Sequence, residues 1–142
     1  MPDTPEGGSV LAFDYGTRTI GVAVGNRISA SARALTTVAN GDWSRLDAVV
    51  AEWRPDRLVV GLPLARDGGE QPTARAAREF AAALERRYAR PTDLVDERLS
   101  SREAAGRFAA RRAAGLAKRK HADAIDALAA EVILETWLAA RA

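Results

Sequence analysis

Three acidic residues stand at positions in this 142-residue chain from which their side chains could act together. Asp14 ends the apolar run Val10–Phe13, Glu97 follows a second run at Leu94–Asp96, and Asp126 falls in a helical pattern near the C-terminal end. Carboxylate oxygens are the ligands that Mg²⁺ and Mn²⁺ prefer. Two such ions about 4 Å apart can hold the attacking water and the leaving oxygen of a phosphodiester. The three acids therefore indicate the chemistry of a metal-dependent nuclease.

The helical pattern around Asp126 gives the sharpest test of this interpretation. With Ile125 at zero and about 100° per residue, Asp126 falls inside an apolar arc formed by Ile125, Ala129, Ala130, Ile133 and Trp137. A carboxylate there is costly to desolvate unless it is paired, protonated or bound to metal. Glu131 and Glu135 are expected to point away from the arc. Asp123 lies at its margin, where it is either a fourth metal ligand or a first-turn acid favoured by the helix dipole.

Length and composition predict one compact domain over residues 1–142, which would be the nuclease domain, and residues 1–8 are expected to form a flexible N-terminus. The chain has no cysteine, which excludes disulfides and thiolate metal sites. It contains no apolar stretch of about 18 residues, and its start is too polar for a signal peptide. We therefore expect a cytoplasmic protein that does not enter the membrane.

Positive charge is concentrated in one segment. Six of the 21 basic residues and none of the 19 acids lie in residues 104–122, so the remainder carries a net charge of −4. A basic block in an otherwise acidic chain is suited to a phosphate backbone, although a solvated surface segment is the alternative. Residues 106–120 are expected to form a mobile basic loop. The candidate nucleic-acid-binding residues are Arg98, Arg107, Arg111, Arg112, Lys118, Arg119 and Lys120.

The pattern of elements predicts an α/β fold. Three strands come first, followed by helix-linked strands and a closing helix, which is a ribonuclease H-like arrangement. The predicted strands are residues 10–13, 20–24, 32–38, 58–60 and 92–96. The predicted helices run from a cap at Asp42 to Trp53, from Pro72 to Tyr88, and from a capping box at Ser100 toward Arg112, before the helix that carries Asp126.

Four segments resemble, in order, the successive blocks of the YqgF/RuvX family: LAFDYGTRTIGVAVGN, VVGLPLARDGG, DERLSS and IDALAAEVILETWL. The likeness covers nearly the whole chain. The family is described as pre-16S rRNA nucleases and was earlier proposed to be Holliday junction resolvases. The resemblance implies that Asp14, Glu97 and Asp126 are catalytic. It also implies a five-stranded mixed sheet, ordered 3-2-1-4-5 and flanked by helices.

In the expected site, Asp14 bridges two ions while Glu97 and Asp126 each hold one. Strands one and five are separated by strand four in the implied order, about 9.6 Å between backbones. Glu97 must therefore reach inward over Gly61. Asp67, in a glycine-rich loop, is the replacement if it does not reach, although a plain turn also accounts for that residue.

Several functions remain open from the sequence. The first is 5′-end processing of precursor 16S rRNA with Mg²⁺ or Mn²⁺. The alternatives are a resolvase-like nuclease for branched DNA and a catalytically silent RNA-binding module. An ATPase of the actin and hexokinase type shares a similar phosphate loop but closes two related domains around its nucleotide. We expect a monomer or a weak dimer.

Overall fold

The computed structural model describes residues 8–63, 69, 72–96 and 121–141, with the backbone alone for residues 121–126. Within these residues the chain forms five strands and three helices. In chain order they are β1 (Ser9–Tyr15), β2 (Thr19–Asn26), β3 (Ser31–Ala39), α1 (Trp43–Trp53), β4 (Arg57–Leu62), α2 (Pro72–Tyr88), β5 (Thr92–Asp96) and α3 (His121–Ala140).

The strands form one mixed sheet in the order β3-β2-β1-β4-β5. β1, β2 and β3 are an antiparallel meander, whereas β4 and β5 join β1 in parallel through helical crossovers. β1 and β4 lie in the interior of the sheet, which is why their sequences are almost continuously apolar. The predicted fold class and strand order are confirmed.

Alternating side chains of the sheet build two cores, one on each face. Leu11 and Phe13 of β1 face α1 and α2, where the ring of Phe80 meets Phe13 edge to face at 5.8 Å. Val10 and Ala12 face α3 and pack with its residues Ala130, Ile133, Leu134, Trp137 and Leu138. The sheet is therefore covered on both sides.

Local sequence signals set the limits of α1 and α2. The carboxylate of Asp42 accepts a hydrogen bond from the backbone N–H of Arg45 at 3.1 Å, which is the predicted N-cap of α1. α2 begins at Pro72, as predicted, because a first-turn residue needs no free N–H. Alanines at 74, 77 and 81 let α2 approach the sheet closely.

α3 lies across the sheet face closely enough to exclude a side chain at Gly25. A Cβ there would be 2.7 Å from Cδ2 of Leu134 and 2.3 Å from the carbonyl oxygen of Ser31. The expectation that Glu131 points away is wrong. This carboxylate is 8% exposed and accepts a hydrogen bond from the N–H of Ala34 on β3 at 2.8 Å.

The register of β3 explains the position of Glu131. Val22 pairs with Thr36 and Ala23 pairs with Ala34, so one extra residue, Leu35, bulges between them. α3 contacts both β2 and β3, so a residue outside the central arc of the helix still meets backbone.

Among the described residues, no helix is long and apolar enough to cross a membrane.

Candidate active site

Asp14 occupies a gap in the side-chain surface of the sheet. It pairs with Gly21 of β2 and lies one residue beyond the last β1–β4 pair, Phe13 with Val60, which places it level with Gly61. A glycine therefore stands beside Asp14 on each neighbouring strand. The Asp14 side chain is half-buried. Neither neighbouring strand therefore places a side chain directly beside this carboxylate.

The Asp14 side chain lies on the face that α3 covers. Alternation along β1 places Asp14 with Val10 and Ala12, both of which pack against α3. On β5 the same face carries Val95, which joins that core, and Asp93, which accepts a hydrogen bond from the indole N–H of Trp137 at 2.8 Å. β1 and β5 thus present their alternate residues to one helix.

The direction of α3 brings its first turns toward the edge of the sheet that carries Asp14. Leu134 lies against Gly25, which pairs with Val10, four residues before Asp14 in β1. Earlier in the helix, Glu131 reaches Ala34, which lies in the row of Ala12 through Ala23 and so is closer to Asp14. The turns preceding Glu131 therefore run toward Asp14.

The β1–β2 turn next to Asp14 is held by a residue from the far end of β3. The side-chain amide of Asn40 donates to the carbonyl oxygen of Gly16 at 2.7 Å, and its backbone N–H donates to that of Arg18 at 2.9 Å. A Cβ at Gly16 would lie 2.5 Å from the carbonyl oxygen of Thr19. Sequence reasoning missed Asn40 because no local signal links it to a turn 24 residues earlier.

Most of the other predicted site residues cannot be compared with this geometry. Glu97, Arg98, Asp67 and the basic residues between 107 and 120 lie outside the described residues. Asp123 and Asp126 lie in the first turns of α3, where the backbone alone is described. Within the part of the chain that the structure describes, no three acids or histidines are grouped closely enough to hold a metal ion. The full ligand set stays a prediction.

A large groove lies at the opposite edge of the sheet, where α1 and α2 end. Its volume is about 830 Å³, and it is lined by Val50, Ala51, Arg54, Pro55, Asp56, Arg87, Tyr88 and Arg90. Arg90 donates hydrogen bonds to the carbonyl oxygens of Pro55, just after α1, and of Tyr88, the last residue of α2. These carbonyl oxygens would otherwise lack a partner from within their helix. We assign this groove no part in the chemistry, because it lies at the other end of β4 from Asp14.

An electrostatic network lies beside this groove. The carboxylate of Asp47 accepts two hydrogen bonds from Arg87, both at 2.8 Å, and one from the hydroxyl of Tyr88 at 2.7 Å. These donors, Arg87 first, lower the pKa of Asp47 to about 2. Burial, followed by the hydrogen bond to Asp47, raises the pKa of the Tyr88 hydroxyl. The network joins α1 to the last turn of α2.

Comparison with solved structures identifies the class of fold. RuvC of Thermus thermophilus in complex with a Holliday junction substrate aligns with a TM-score of 0.56 at 18% identity, over 94% of each chain. A second RuvC structure from the same organism aligns with a TM-score of 0.55 at 19% identity, over 94% of this chain and 95% of that one. At such low identity the likeness establishes the fold alone, which is ribonuclease H-like.

Sequence comparison then identifies the family. The model of the RuvX family, described as Holliday junction resolvase, matches residues 8–140. A protein of Xanthomonas axonopodis pv. citri, provisionally named pre-16S rRNA nuclease, is 55% identical over 94% of this chain and 88% of its own length. A protein of Xylella fastidiosa with the same name is 54% identical over 93% of this chain and 88% of its own length. The chain belongs to the RuvX family and is a nuclease.

Proposed function

We propose that this protein is a divalent-metal-dependent nuclease that processes the 5′ end of precursor 16S rRNA, with Asp14, Glu97 and Asp126 holding Mg²⁺ or Mn²⁺. The observation that carries the proposal is the placement of Asp14 between Gly21 and Gly61, on the sheet face covered by α3. The provisional name of the Xanthomonas and Xylella relatives supports the choice of substrate.

The position of Asp126 along α3 supports its inclusion in the site. Glu131 is level with Ala12 through its bond to Ala34, and Asp126 comes five residues earlier, about 7.5 Å of helical rise. Asp14 comes two residues beyond Ala12, about 6.8 Å along the strand. A helix running along the strands would therefore bring Asp126 to the level of Asp14.

Glu97 is proposed from its place in the chain. It directly follows Asp96, the last residue of β5, in a strand whose Asp93 and Val95 share the α3 face with Asp14. If the alternation continues, Glu97 takes that face as well. When bound, the metal ions would polarise the phosphate and activate a water molecule, while the carboxylates fix their separation.

The proposal is tested by cleavage of an RNA that spans the 5′ end of 16S rRNA and its precursor extension, with Mn²⁺ or Mg²⁺. Asp14→Asn and Asp126→Asn should each lower the rate by at least about a hundredfold, about 2.7 kcal/mol of transition-state stabilisation, without unfolding the protein. Asp93→Asn is the matched control, since Asp93 lies on the same face but binds Trp137 and Arg141. Cleavage by Asp14→Asn at the wild-type rate would remove Asp14 from the chemistry.

Asp123→Asn should have a milder effect than Asp126→Asn. Equal and complete losses at Asp123 and Asp126 would instead establish a site of four carboxylates.

A four-way DNA junction belongs in the same assay, because the family description and the RuvC complex both concern Holliday junctions. Faster cleavage of the junction than of the RNA would favour a resolvase-like activity.

A further inference from the structure

The β1–β2 turn, residues 16–19, is built as a fixed platform at the edge of the sheet beside Asp14. Tyr15 pairs with Ile20 below the turn, and the two bonds from Asn40 hold its carbonyl oxygens from the side of β3. The turn begins two residues beyond Asp14, about 7 Å along the strand. With Gly16 and Arg18 bound through their carbonyl oxygens, the turn is fixed while its side chains at 17 and 18 are exposed.

Arg18 is the exposed arginine of the turn beside Asp14, and its guanidinium is not engaged by the described part of the chain. Several other arginines have carboxylate partners: Arg27 binds Asp56, Arg57 and Arg141 bind Asp93, and Arg87 binds Asp47. Arg18 makes no ion pair or side-chain hydrogen bond with any residue that the structure describes, and it is exposed. An arginine on a braced turn, next to the carboxylate of a nuclease, is positioned for an anion.

We infer that Arg18 is a substrate-positioning residue that binds a backbone phosphate next to the one that is cut, and that Asn40 holds it in place. The inference rests on the proposed function, since it takes Asp14 as the point of cleavage. A guanidinium matches a phosphate with two parallel N–H···O bonds, so it fixes both the position and the direction of the strand. Because Asn40 already holds the turn in place, binding a phosphate there costs less conformational entropy.

The first experiment measures binding without cleavage, in chelator, with single-stranded RNA and single-stranded DNA of one sequence. Arg18→Gln should weaken binding of both by roughly tenfold, and should flatten the log–log dependence of affinity on salt by about 0.7. Arg45→Gln is the matched control, because Arg45 is also exposed and makes no side-chain hydrogen bond or ion pair with any described residue, but lies in α1, on the other side of the sheet. Arg18→Lys should restore the salt slope but only part of the affinity, since lysine binds as a point charge.

The second experiment separates the brace from the charge. Asn40→Ala keeps Arg18 and removes one of the two bonds to the turn, so affinity should fall by about threefold to fivefold while the salt slope stays at the wild-type value. In cleavage assays Arg18→Gln should raise KM roughly tenfold and change kcat less than about threefold. The melting temperature of Arg18→Gln should match that of the wild type, because the Arg18 side chain makes no hydrogen bond or ion pair with the described residues.

Binding of both strands by Arg18→Gln with wild-type affinity and salt slope would overturn the inference. So would a loss confined to RNA, because that would indicate recognition of the 2′-hydroxyl rather than of phosphate. The proposed function fails separately, if Asp14→Asn still cleaves. A protein that binds through Arg18 but never cuts would support the phosphate contact and refute the nuclease site.

Discussion

At the residue scale, the feature that most constrains the chemistry is the absence of side chains on both sides of Asp14. Gly21 and Gly61 flank it on β2 and β4. The residues that precede Asp14 and Gly61, 10–13 of β1 and 58–60 of β4, are all apolar. A larger residue in either position would place its side chain beside the carboxylate. Glycine on each side places none there, which suits the metal ions and phosphate of the proposed site.

A single methyl group at Gly21 should be enough to impair cleavage. Gly21→Ala places a Cβ about 4.5–5.5 Å from that of Asp14, so we expect cleavage at saturating Mn²⁺ to fall by about tenfold or more. Single-turnover rates measure the effect. Val24→Ala is the control, since it removes core volume from the opposite face of β2 and should lower stability without the same loss of rate. Wild-type cleavage by Gly21→Ala would show that the glycine gap is not part of the site.

Asp47 makes a second residue-scale prediction, on stability against pH. Its pKa is about 2 in the folded protein, chiefly because of Arg87, and about 3.9 in an unfolded chain. A lowered pKa stabilises the fold above the unfolded value, and this stabilisation is lost as pH falls toward the folded value. The stability difference between the wild type and Asp47→Asn should therefore shrink between pH 5 and pH 2.

Urea unfolding at a series of pH values measures this difference. Arg87→Gln should reproduce the trend, because it breaks the same ion pair. Since both side chains of the pair are nearly half exposed, at 45% each, the effect should also weaken in high salt. A difference that does not vary with pH would contradict the assignment.

At the scale of elements, Glu131 connects α3 to the edge strand β3. Its carboxylate accepts a hydrogen bond from the N–H of Ala34, which lies in the bulged part of β3. Glu131→Leu would leave this partly buried donor without its acceptor and should cost about 1–2 kcal/mol in the free energy of unfolding. Glu131→Gln keeps an oxygen acceptor and should cost less. Chemical denaturation of the two variants gives the comparison, and equal stability of Glu131→Leu and the wild type would contradict it.

How far the sequence predicts each element depends on how local its determinants are. Asp42 and Pro72 act within one helical turn, so the starts of α1 and α2 could be predicted from them. The strands follow from apolar runs, although the structure extends β1 to Tyr15 and β2 to Asn26. These short-range signals are sufficient for the elements that the structure describes, and the family resemblance supplies the order of the strands in the sheet.

Other features depend on contacts between residues far apart in the chain. Glu131 was misplaced because a helical wheel represents one flat contact surface, whereas α3 also meets the bulge in β3. The brace from Asn40 to Gly16 joins residues 24 positions apart, and nothing in either segment indicates the other. The sequence does indicate Asp14 as a candidate, because this residue ends an apolar run beside a turn. The joint action of Asp14, Glu97 and Asp126 stays a prediction that mutagenesis must test.

At the scale of the whole molecule, charge is divided between a basic segment and an acidic remainder. Residues 104–122 carry six basic side chains against a net charge of −4 elsewhere. We predict that replacing Lys118, Arg119 and Lys120 together by Gln weakens RNA binding for all sequences alike. Each lost phosphate contact should flatten the salt slope by about 0.7. Cleavage of saturating RNA should change little, because none of the three has a proposed metal or proton-transfer role.

Binding titrations over a range of salt concentrations test this prediction, with cleavage of bound RNA measured in parallel. An unchanged salt slope together with a lost cleavage rate would move the basic segment from substrate binding into the chemistry.

The order of the elements along the chain also determines the order in which they are synthesised. Asp14 lies in the first strand and α3 is the last helix, so all five strands leave the ribosome before the helix that covers Val10, Ala12 and Val59. The 112 residues from Asp14 to Asp126 take roughly 6–22 s to add at about 5–20 residues per second. Until then the emerging chain exposes an apolar sheet face and carries Asp14 without the helix opposite it. If Asp126 completes the site as proposed, the protein has no complete site with which to cut RNA while most of its own chain is being made.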